Sequence, residues 1–565
     1  MIFRNGYFYG LGGKRYIPLG RFGCYFDAAY AGEDEGYVSQ HGDSLIEFQR
    51  ATPSVWRNFF RYLAENDGCT AIRMFPRGDS GGPAWEGLDI GGRVNRPLLD
   101  IIKAYMREAR GFGIKLQLCL FTQPECSFYC RRNTRIYWGR RLWSDDEVKN
   151  ASPSQKRFLE NEDDLLTYEG FFSDPDARAC CRSFLDEIIP EIKDWEDLYS
   201  VELYNESGWA GPHADPMNTF RWEITPAYLD WHREMVSHIR SLAPDLPVCV
   251  SDPGVSILGH DTVHWGRETG ADWFSLHNYP DICGAREWID YAAISDAALK
   301  YTMSLLPCAM GEWEALRLRH DGGGKALRLK TLLARDTAWM TLLSGAPGCV
   351  SWQAMGYGQY HAVNRVFSSL SGMPLVPTPD VVINVSEAQK KLEDMWRGGE
   401  DECRLPGDIW CPDRGATDKK HRFCVKAVSP EYEALLRAER MSLDLGAHIA
   451  FSLSEGIPLR DLTESALAAA KPLVGPVPGY QRKAFSADGG KIRMVYLRNY
   501  EPFYIEDQHY TLRDRVPKPL TLRFDPDAGD IELYDLDSGS ATRFRPSGTA
   551  DLGTTDHDFL AVSVR

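Results

Sequence analysis

The sequence has no long apolar run and no excess of positive charge. No stretch of about 18 uncharged apolar residues occurs in its 565 residues, so the sequence predicts no segment that inserts into a membrane. The 64 Lys and Arg face 80 Asp and Glu, which gives a net charge of −16 and a pI near 5.4. A surface with this balance repels the phosphate backbone, so we expect no nucleic-acid partner.

Common cofactor motifs are absent as well. Neither GxGxxG after the first predicted strand nor GxxxxGK[ST] occurs, which argues against a nucleotide-binding fold. Cys126 and Cys130 have no second pair at zinc-site spacing, and Cys180 and Cys181 are adjacent. We therefore expect neither a cofactor nor a metal.

The cysteines and the start of the chain bear on the compartment. Several of the 14 cysteines lie in apolar strand-like runs, where cysteine acts as a small hydrophobe, and this favours a reducing environment. The start, MIFRNGYFYGLGGKRYIPLG, has no apolar segment behind a basic end, so we expect a cytoplasmic protein from the chain as given. Secretion of a processed form stays open, and the sequence does not decide whether Cys403 then forms a disulfide with Cys411 or Cys424.

What the sequence has instead is an alternation of β-forming runs and helical periodicity from about residue 21 to 355. Eight such units predict an α/β fold, the (β/α)8 TIM barrel, with its active site at the carboxyl ends of the strands. A doubly wound open sheet is the alternative, which the missing nucleotide motifs disfavour. The predicted strands are Arg21–Phe26, Cys69–Phe75, Ile114–Phe121, Leu198–Tyr204, Pro247–Ser251, Trp273–His277, Pro307–Glu312 and Gly348–Trp352.

The pattern changes on both sides of this region. Residues 1–20 predict a hairpin that either completes a sandwich or closes the barrel floor, and 21–375 form the predicted catalytic barrel. Residues 376–470 are a mixed region with one helix, in SPEYEALLRAERMSLDL. Residues 471–565 alternate apolar and polar positions between Asp, Gly and Pro turns, which predicts an antiparallel β-sandwich.

One connection is much longer than an ordinary loop between a strand and a helix. About fifty residues, Thr122–Ser173, follow the third strand, and we expect them to cover the mouth of the active site. Arginines there either receive an anionic or sugar-like ligand or pair with the acidic runs SDDE and NEDD. These arginines are Arg131, Arg132, Arg135, Arg140 and Arg141.

Two predicted strands end in a carboxylate at the edge where a barrel carries its chemistry. SVELYNESGW places Glu206 after the fourth strand, and CAMGEWEAL places Glu312 at the end of the seventh. Acetal cleavage needs one carboxylic acid to protonate the leaving oxygen and one carboxylate to attack the anomeric carbon. The pair therefore predicts glycoside chemistry, with Glu314 as an alternative to Glu312.

With these residues in order along the strands, the sequence resembles a clan A retaining glycoside hydrolase, closest in pattern to glycoside hydrolase family 5, over about residues 20 to 360. The resemblance implies that Glu206 is the acid/base and Glu312 the nucleophile. It also implies that Arg73 holds the nucleophile and that Asn205 bonds the sugar 2-hydroxyl. The NESG segment departs from the family, because many members have proline after the acid/base.

The resemblance extends to aromatic and histidine positions. It implies that His277 and Tyr279 form the sixth-strand His-x-Tyr, whose tyrosine orients the nucleophile, and that Trp352 forms the floor of the sugar subsite. Aromatic faces suit sugars, because pyranose C–H groups pack on rings. From their positions in loops we expect further subsite contacts from Trp209, Trp313 and Tyr357, and from Trp138 and Trp143 in the long connection.

Three of these residues also have a purely structural interpretation. Arg73 suits a buried ion pair with Glu202, which shares strand parity with Glu206. His277 suits a hydrogen-bonded core histidine, and Trp352 suits packing alone.

The favoured function is hydrolysis of β-linked glycosides or oligosaccharides with retention, on a carbohydrate substrate and without a cofactor. A transglycosylase on the same site, or a carbohydrate-binding barrel without turnover, are the alternatives. Metal-dependent hydrolysis or isomerisation is disfavoured, because only His277 is well placed as a ligand. The sequence leaves the sugar and the oligomeric state open.

Overall fold

A closed barrel of eight parallel strands forms the centre of the fold, as the sequence predicted. In chain order its strands are β1 (Leu19–Phe22), β2 (Ala71–Met74), β3 (Lys115–Phe121), β4 (Leu198–Tyr204), β5 (Val248–Pro253), β6 (Trp273–His277), β7 (Cys308–Glu312) and β8 (Cys349–Ser351). Consecutive strands are neighbours, and the sheet closes between β8 and β1. The computed structural model describes residues 1–10, 12–27, 45–76, 87–121, 128–129, 143–160, 162–206, 226–253, 264–278, 288–313, 323–352, 358–370, 373, 375–397, 430–468, 470–499, 503–506, 509–512, 515–545 and 548–565.

The strands are near-continuous apolar runs because a parallel barrel buries both faces of its sheet. All seven residues of β4 are buried, including two polar ones, Ser200 and Glu202, which therefore need partners inside the barrel.

The first strand differs from its prediction. It runs over Leu19–Phe22, earlier than the predicted Arg21–Phe26, and Tyr25–Asp27 instead pairs antiparallel with Leu45–Glu47. Gly20 explains the register, because a β-carbon there would lie 1.8 Å from the carbonyl oxygen of Ala71. Only glycine allows β1 and β2 to approach this closely.

Helices alternate with the barrel strands, and several begin at well-formed caps. Asn95 and Asp174 accept backbone N–H groups at two helix starts where proline occupies the first turn. The helices between residues 53 and 369, outside the long connection, are Pro53–Tyr62, Arg96–Arg110, Pro175–Ile192, Pro226–Leu242, Trp288–Leu305, Gly323–Leu343 and His361–Ser369.

The long connection after β3 is not a structureless loop. It contains the helices Asp145–Asn150, Pro153–Glu160 and Tyr168–Ser173. The acidic run SDDE forms the first turn of one of them, with a capping box between Ser144 and Glu147. Glu147 pairs with Arg93 at 2.7 Å, whereas the five arginines of the connection lie outside the described residues.

The N-terminal strands close the floor of the barrel, one of the two placements that the sequence left open. Ile2–Arg4, Tyr7–Tyr9 and Arg15–Tyr16 form a small antiparallel sheet. Phe8, which is fully buried, makes edge contacts with Tyr199 and Trp273 at the amino ends of β4 and β6, with ring centroids 5.2 and 5.5 Å apart.

By internal contacts the chain forms two compact units. One comprises Met1–Pro253, Val263–His277 and Val350–Gly356, and the other comprises Gly254–Thr262, Asn278–Cys349 and Tyr357–Arg565.

The second unit contains a C-terminal β-sandwich, as predicted. A five-stranded sheet has the strand order Tyr480–Ala487, Ile492–Asn499, Phe559–Val564, Ile531–Asp535, Ala541–Phe544. It shares a hydrophobic core with the pair Lys518–Arg523 and Thr549–Thr555. The strands Phe503–Glu506 and His509–Leu512 form a separate hairpin.

Between β8 and the sandwich, the chain has more structure than the single predicted helix. That helix is present as Pro430–Leu445, and Ser386–Arg397 and Glu464–Leu467 are also helical. Val381–Asn384 lies between Ile449–Ser452 and Ile457–Pro458 in a small parallel sheet. No helix in the described part of the chain combines the length and apolarity that a bilayer crossing requires.

A cluster of buried charges holds the sandwich to the helix Gly323–Leu343. Asp558 accepts hydrogen bonds from Arg335 at 2.5 Å and Arg515 at 2.9 Å, and from the backbone N–H of Asn499. Burial alone would raise the pKa of Asp558, but the two guanidinium groups outweigh it and lower that pKa. The ionised carboxylate is therefore the stable form.

Replacing Asp558 with asparagine should destabilise the protein by about 3–5 kcal/mol near neutral pH, because the buried Arg335 and Arg515 lose their closest anionic partner and keep only longer contacts to Asp537. Urea unfolding followed by tryptophan fluorescence measures the loss. Asp527→Asn is the matched control, since its pair with Lys471 is exposed and should contribute little. Equal unfolding midpoints for the two variants would contradict the predicted role of the cluster.

Candidate active site

Arg73 lies inside the barrel on β2 and forms a two-point ion pair with β4. Its Nε and Nη2 donate to Oε2 and Oε1 of Glu202, each at 2.7 Å, and both side chains are buried. Nη2 also donates to Oδ1 of Asn205 at 2.6 Å. The structural interpretation of Arg73 is therefore present in the molecule, and the same guanidinium also orients Asn205.

Glu202 is held by further polar side chains on the barrel strands. Nε2 of Gln117, on β3, donates to Oε2 of Glu202 at 2.8 Å, and the Tyr199 hydroxyl donates to Oε1 of Gln117 at 2.7 Å. Burial raises the pKa of Glu202, but Arg73 outweighs it, so the net pKa lies below its ordinary value. The network was not predicted beyond Arg73 and Glu202, although Gln117 stands out as a polar residue within an apolar strand.

Asn205 and Glu206 directly follow β4 and are both buried. Glu206 has a φ of +48°, a left-handed backbone conformation that is unusual for a residue with a β-carbon. Its backbone N–H donates to the Ser251 hydroxyl at 2.9 Å. The turn at Glu206 ends the strand and sets the direction of the carboxyl group.

His277, at the end of β6, contacts the carboxyl group of Glu206. Its Nδ1 lies 2.7 Å from Oε1 of Glu206, and the ring is completely buried. If Nδ1 carries a proton, it donates to an ionised Glu206. If Glu206 is protonated, its carboxyl group donates to Nδ1, so one proton lies between the two groups in either case. The side chain is thus a buried histidine with a specific carboxylate partner.

Glu312 is the last residue of β7 and is 7% exposed. Its carbonyl oxygen accepts the backbone N–H of Asn278 at 2.9 Å. Trp313, which follows it, is completely buried. The carboxylate thus stands at the carboxyl end of a barrel strand, where the sequence predicted it.

Trp352 belongs to an aromatic stack at the ends of β1, β2 and β8. Its ring is stacked on Phe22 with centroids 4.2 Å apart, and Phe75 lies parallel at 5.4 Å. Trp352 is partly exposed, whereas Phe22 and Phe75 are buried. Phe22 and Phe75 were not predicted as site residues, although Phe75 ends its predicted strand and so lies at the edge where a site was expected.

Several predicted contacts lie outside the described residues. These are Tyr279, Trp209, Tyr357, Trp138 and the alternative nucleophile Glu314. Trp143 is described and buried, with its indole N–H donating to the carbonyl oxygen of Ile90 at 3.2 Å and Arg93 over its ring.

A small cavity lies beside the ends of β3 and β4, with one carboxyl group in its wall. The carboxyl group of Asp89 accepts hydrogen bonds from the Tyr129 hydroxyl and the backbone N–H of Gly92, each at 2.7 Å. Burial nevertheless raises the pKa of Asp89 to about 7. The other lining residues are Gly87, Leu88, Leu120, Phe121, Phe128, Phe171 and Tyr204.

The sandwich contains a group of possible metal ligands: Asp535, Asp537 and His557, whose candidate ligand atoms lie within 4.8 Å of one another. Their atoms are already engaged. His557 Nδ1 lies 2.8 Å from Asp535, and Asp537 pairs with Arg335 at 3.2 Å. An ion would compete with these contacts, so we assign no metal here.

No protein-family model and no curated protein matches the sequence. Three solved structures of similar fold illustrate the matches. An exo-β-1,4-mannosidase from Opitutaceae bacterium strain TAV5 is 15% identical with a TM-score of 0.47, covering 80% of this chain and 72% of its own. A GH5_18 protein from Streptomyces cattleya, in complex with GlcNAc, is 12% identical with a TM-score of 0.47, covering 81% and 98%.

The third structure is a β-galactosidase from Rahnella sp. R3, 8% identical with a TM-score of 0.49, covering 97% of this chain and 98% of its own. Glycoside hydrolases of family 5, the family that the sequence resembles, are thus among the structures similar to this chain. At these identities the likeness concerns the fold.

The lowered pKa of Glu202 makes its contribution to stability depend on pH. The ionised form is stabilised in the folded state, so its contribution is complete above about pH 4.3 and is lost as the pH falls through the folded-state pKa. Glu202→Gln should therefore be destabilised by about 3–5 kcal/mol near pH 7, and the gap to the parent should narrow as the pH falls below about 4.3. Urea unfolding at several pH values measures it. Glu196→Gln, an exposed partner of Arg110, should follow the parent, and a gap that does not change with pH would refute the role of Glu202.

Asp89 should have the opposite dependence. Its folded-state pKa of about 7 exceeds the ordinary value near 3.9, so the parent should lose stability as the pH rises from about 4 through 7. Asp89→Asn removes this ionisation and should lose less stability between pH 5 and 8. Thermal unfolding across this range, with exposed Asp100→Asn as control, tests it. Parallel curves for the parent and Asp89→Asn would show that Asp89 does not titrate there.

Proposed function

We propose that this protein is a retaining glycoside hydrolase that cleaves β-linked glycosides or oligosaccharides. One observation carries the proposal: Glu206 and Glu312 are buried carboxylates at the carboxyl ends of two strands, β4 and β7, of one closed parallel barrel. In such a barrel the strand ends at this edge assemble the active site. Retention requires the two carboxyl groups to flank the anomeric carbon about 5 to 5.5 Å apart.

The proposed reaction has two displacements at the anomeric carbon. A carboxylate oxygen of Glu312 bonds to this carbon while its bond to the leaving oxygen breaks, and Glu206 gives its proton to that oxygen. A water oxygen then attacks the same carbon, passes a proton to Glu206, and releases Glu312. The first step therefore needs Glu206 protonated, and the second needs it ionised.

The neighbouring residues have roles that follow from their contacts. Asn205 is proposed to bond the sugar 2-hydroxyl, and its amide orientation is set by Arg73. His277 is proposed to orient Glu206 through the 2.7 Å contact and to share its proton. Trp352 offers the exposed part of an aromatic stack as a floor for the sugar.

The remaining predicted contacts are proposed from the resemblance alone. Tyr279 would orient the nucleophile, and Trp209 and Tyr357 would contact further sugar units. The sequence also predicted a sugar contact from Trp313, but this side chain is completely buried and offers no face to a sugar. The substrate class is a carbohydrate, and the proposed chemistry needs no cofactor.

The proposal is tested with aryl β-glucosides, β-mannosides, β-galactosides and β-xylosides. The parent should hydrolyse at least one of them with retained anomeric configuration, which proton NMR of the first product detects. Glu312→Gln should abolish turnover, because no covalent intermediate forms. Glu206→Ala should lower kcat/KM by about 10²- to 10⁴-fold on substrates with poor leaving groups, and azide should restore turnover as a glycosyl azide.

Exposed Glu65→Gln is the control for loss of a glutamate and should match the parent. A parent that binds but does not cleave these sugars would favour the binding-protein alternative. A product that carries a second sugar in place of water would favour the transglycosylase. Parental activity in Glu312→Gln would refute the assigned nucleophile.

A further inference from the structure

The backbone at Glu206 is held in a conformation that its residue type does not favour. A φ of +48° places the β-carbon of Glu206 close to its own carbonyl oxygen. Glycine has no β-carbon and adopts this conformation without that steric cost, whereas glutamate does not. Such a turn persists only where neighbouring groups hold it. Groups on neighbouring elements must therefore hold the turn at this strand end.

The hydroxyl group of Ser251 spans the turn. It accepts the backbone N–H of Glu206 at 2.9 Å and donates to the carbonyl oxygen of Tyr204 at 3.0 Å. These two backbone groups flank Asn205, so one side chain on β5 forms hydrogen bonds to the chain on both sides of this residue. Ser251 is completely buried, which excludes water as an easy substitute for its hydroxyl.

Ser251 also borders the ion pair inside the barrel. In the register of β5 and β4, Cys249 pairs with Glu202, the partner of Arg73, and Ser251 follows two residues later on the same face of the sheet. Arg73 in turn holds Asn205. The serine thus lies between the two arrangements that set the positions of Asn205 and Glu206.

We infer that Ser251 is a positioning residue for the acid/base: it holds the left-handed turn that directs the carboxyl group of Glu206 toward His277 and the leaving oxygen. The inference rests on the proposed function. Ser251 acts through the backbone of Glu206. Without its hydroxyl, the turn can relax and displace the carboxyl group, and a displacement of about 1 Å can lower a rate by about 100-fold.

The molecule offers a closely matched control in Ser200 on β4. Its hydroxyl is also fully buried, accepts an N–H from the Trp273 indole and donates to the carbonyl oxygen of Pro247, each at 3.0 Å. Ser200→Ala removes the same buried group, which also accepts one N–H and donates to backbone carbonyl oxygen, at the amino end of the strand and far along β4 from Glu206. It reports the cost of losing a buried serine hydroxyl by itself.

The test compares Ser251→Ala, Ser200→Ala, Glu206→Ala and the parent on aryl glycosides of the sugar that the parent cleaves fastest. The leaving phenols range from 2,4-dinitrophenol, which needs no protonation, to unsubstituted phenol, which does. Ser251→Ala should lower kcat/KM by about 10- to 100-fold for the phenyl glycoside and less than threefold for the dinitrophenyl glycoside. For the dinitrophenyl substrate kcat should fall with kcat/KM retained, because Glu206 must also activate water in the second step.

Ser200→Ala should keep the parental dependence on the leaving group, even if both serine variants melt at a lower temperature. Ser251→Thr, which restores a hydroxyl, should recover part of the lost activity on the phenyl glycoside.

An equal loss on all leaving groups, or a Ser251→Ala profile like that of Ser200→Ala, would overturn the inference while Glu206→Ala still behaves as an acid/base variant. A parent inactive on every glycoside would overturn the proposed function and this inference together.

Discussion

The ion pair between Arg73 and Glu202 is the constraint on which the candidate site depends. Its two hydrogen bonds of 2.7 Å cross the barrel interior from β2 to β4, where neither charge is in contact with water. A buried guanidinium or carboxylate without its partner is strongly destabilising, so each residue requires the other. The guanidinium has further donors, and one of them fixes the amide of Asn205, next to Glu206. The same contact therefore stabilises the barrel and orders its functional edge.

Glu206 is held by separate contacts to its backbone and its side chain. Ser251, on β5, bonds the backbone N–H of Glu206, and His277, at the end of β6, bonds its carboxyl group. Strand residues are good supports because packing leaves them few alternative positions. Preorganisation of this kind is what a proton transfer to a departing oxygen requires, since the donor must already lie in line with it.

The amino ends of the barrel strands contribute to packing. Phe8 of the N-terminal sheet fills the floor against Tyr199 and Trp273, and the polar network of Gln117 and Tyr199 begins just above it. In the second unit, buried charges around Asp558 bind the sandwich to a helix. The floor and the sandwich thus add to the stability of the protein, whereas the proposed catalytic residues lie at the strand ends opposite the floor.

The sequence by itself determined the eight strand–helix units, the C-terminal sandwich, and the strand ends at which Glu206 and Glu312 stand. These features are encoded in residue periodicity over short stretches, which any segment carries without its neighbours. It also indicated the pairing of Arg73 with Glu202 from strand parity, as one of two interpretations. Only the tertiary structure decided the early end of β1, the helices within the long connection, the floor made by the first residues, and the hydroxyl of Ser251 at the turn of Glu206. The floor and the Ser251 contact depend on residues far apart in the chain, 45 positions for Ser251 and Glu206, that meet only when the barrel closes.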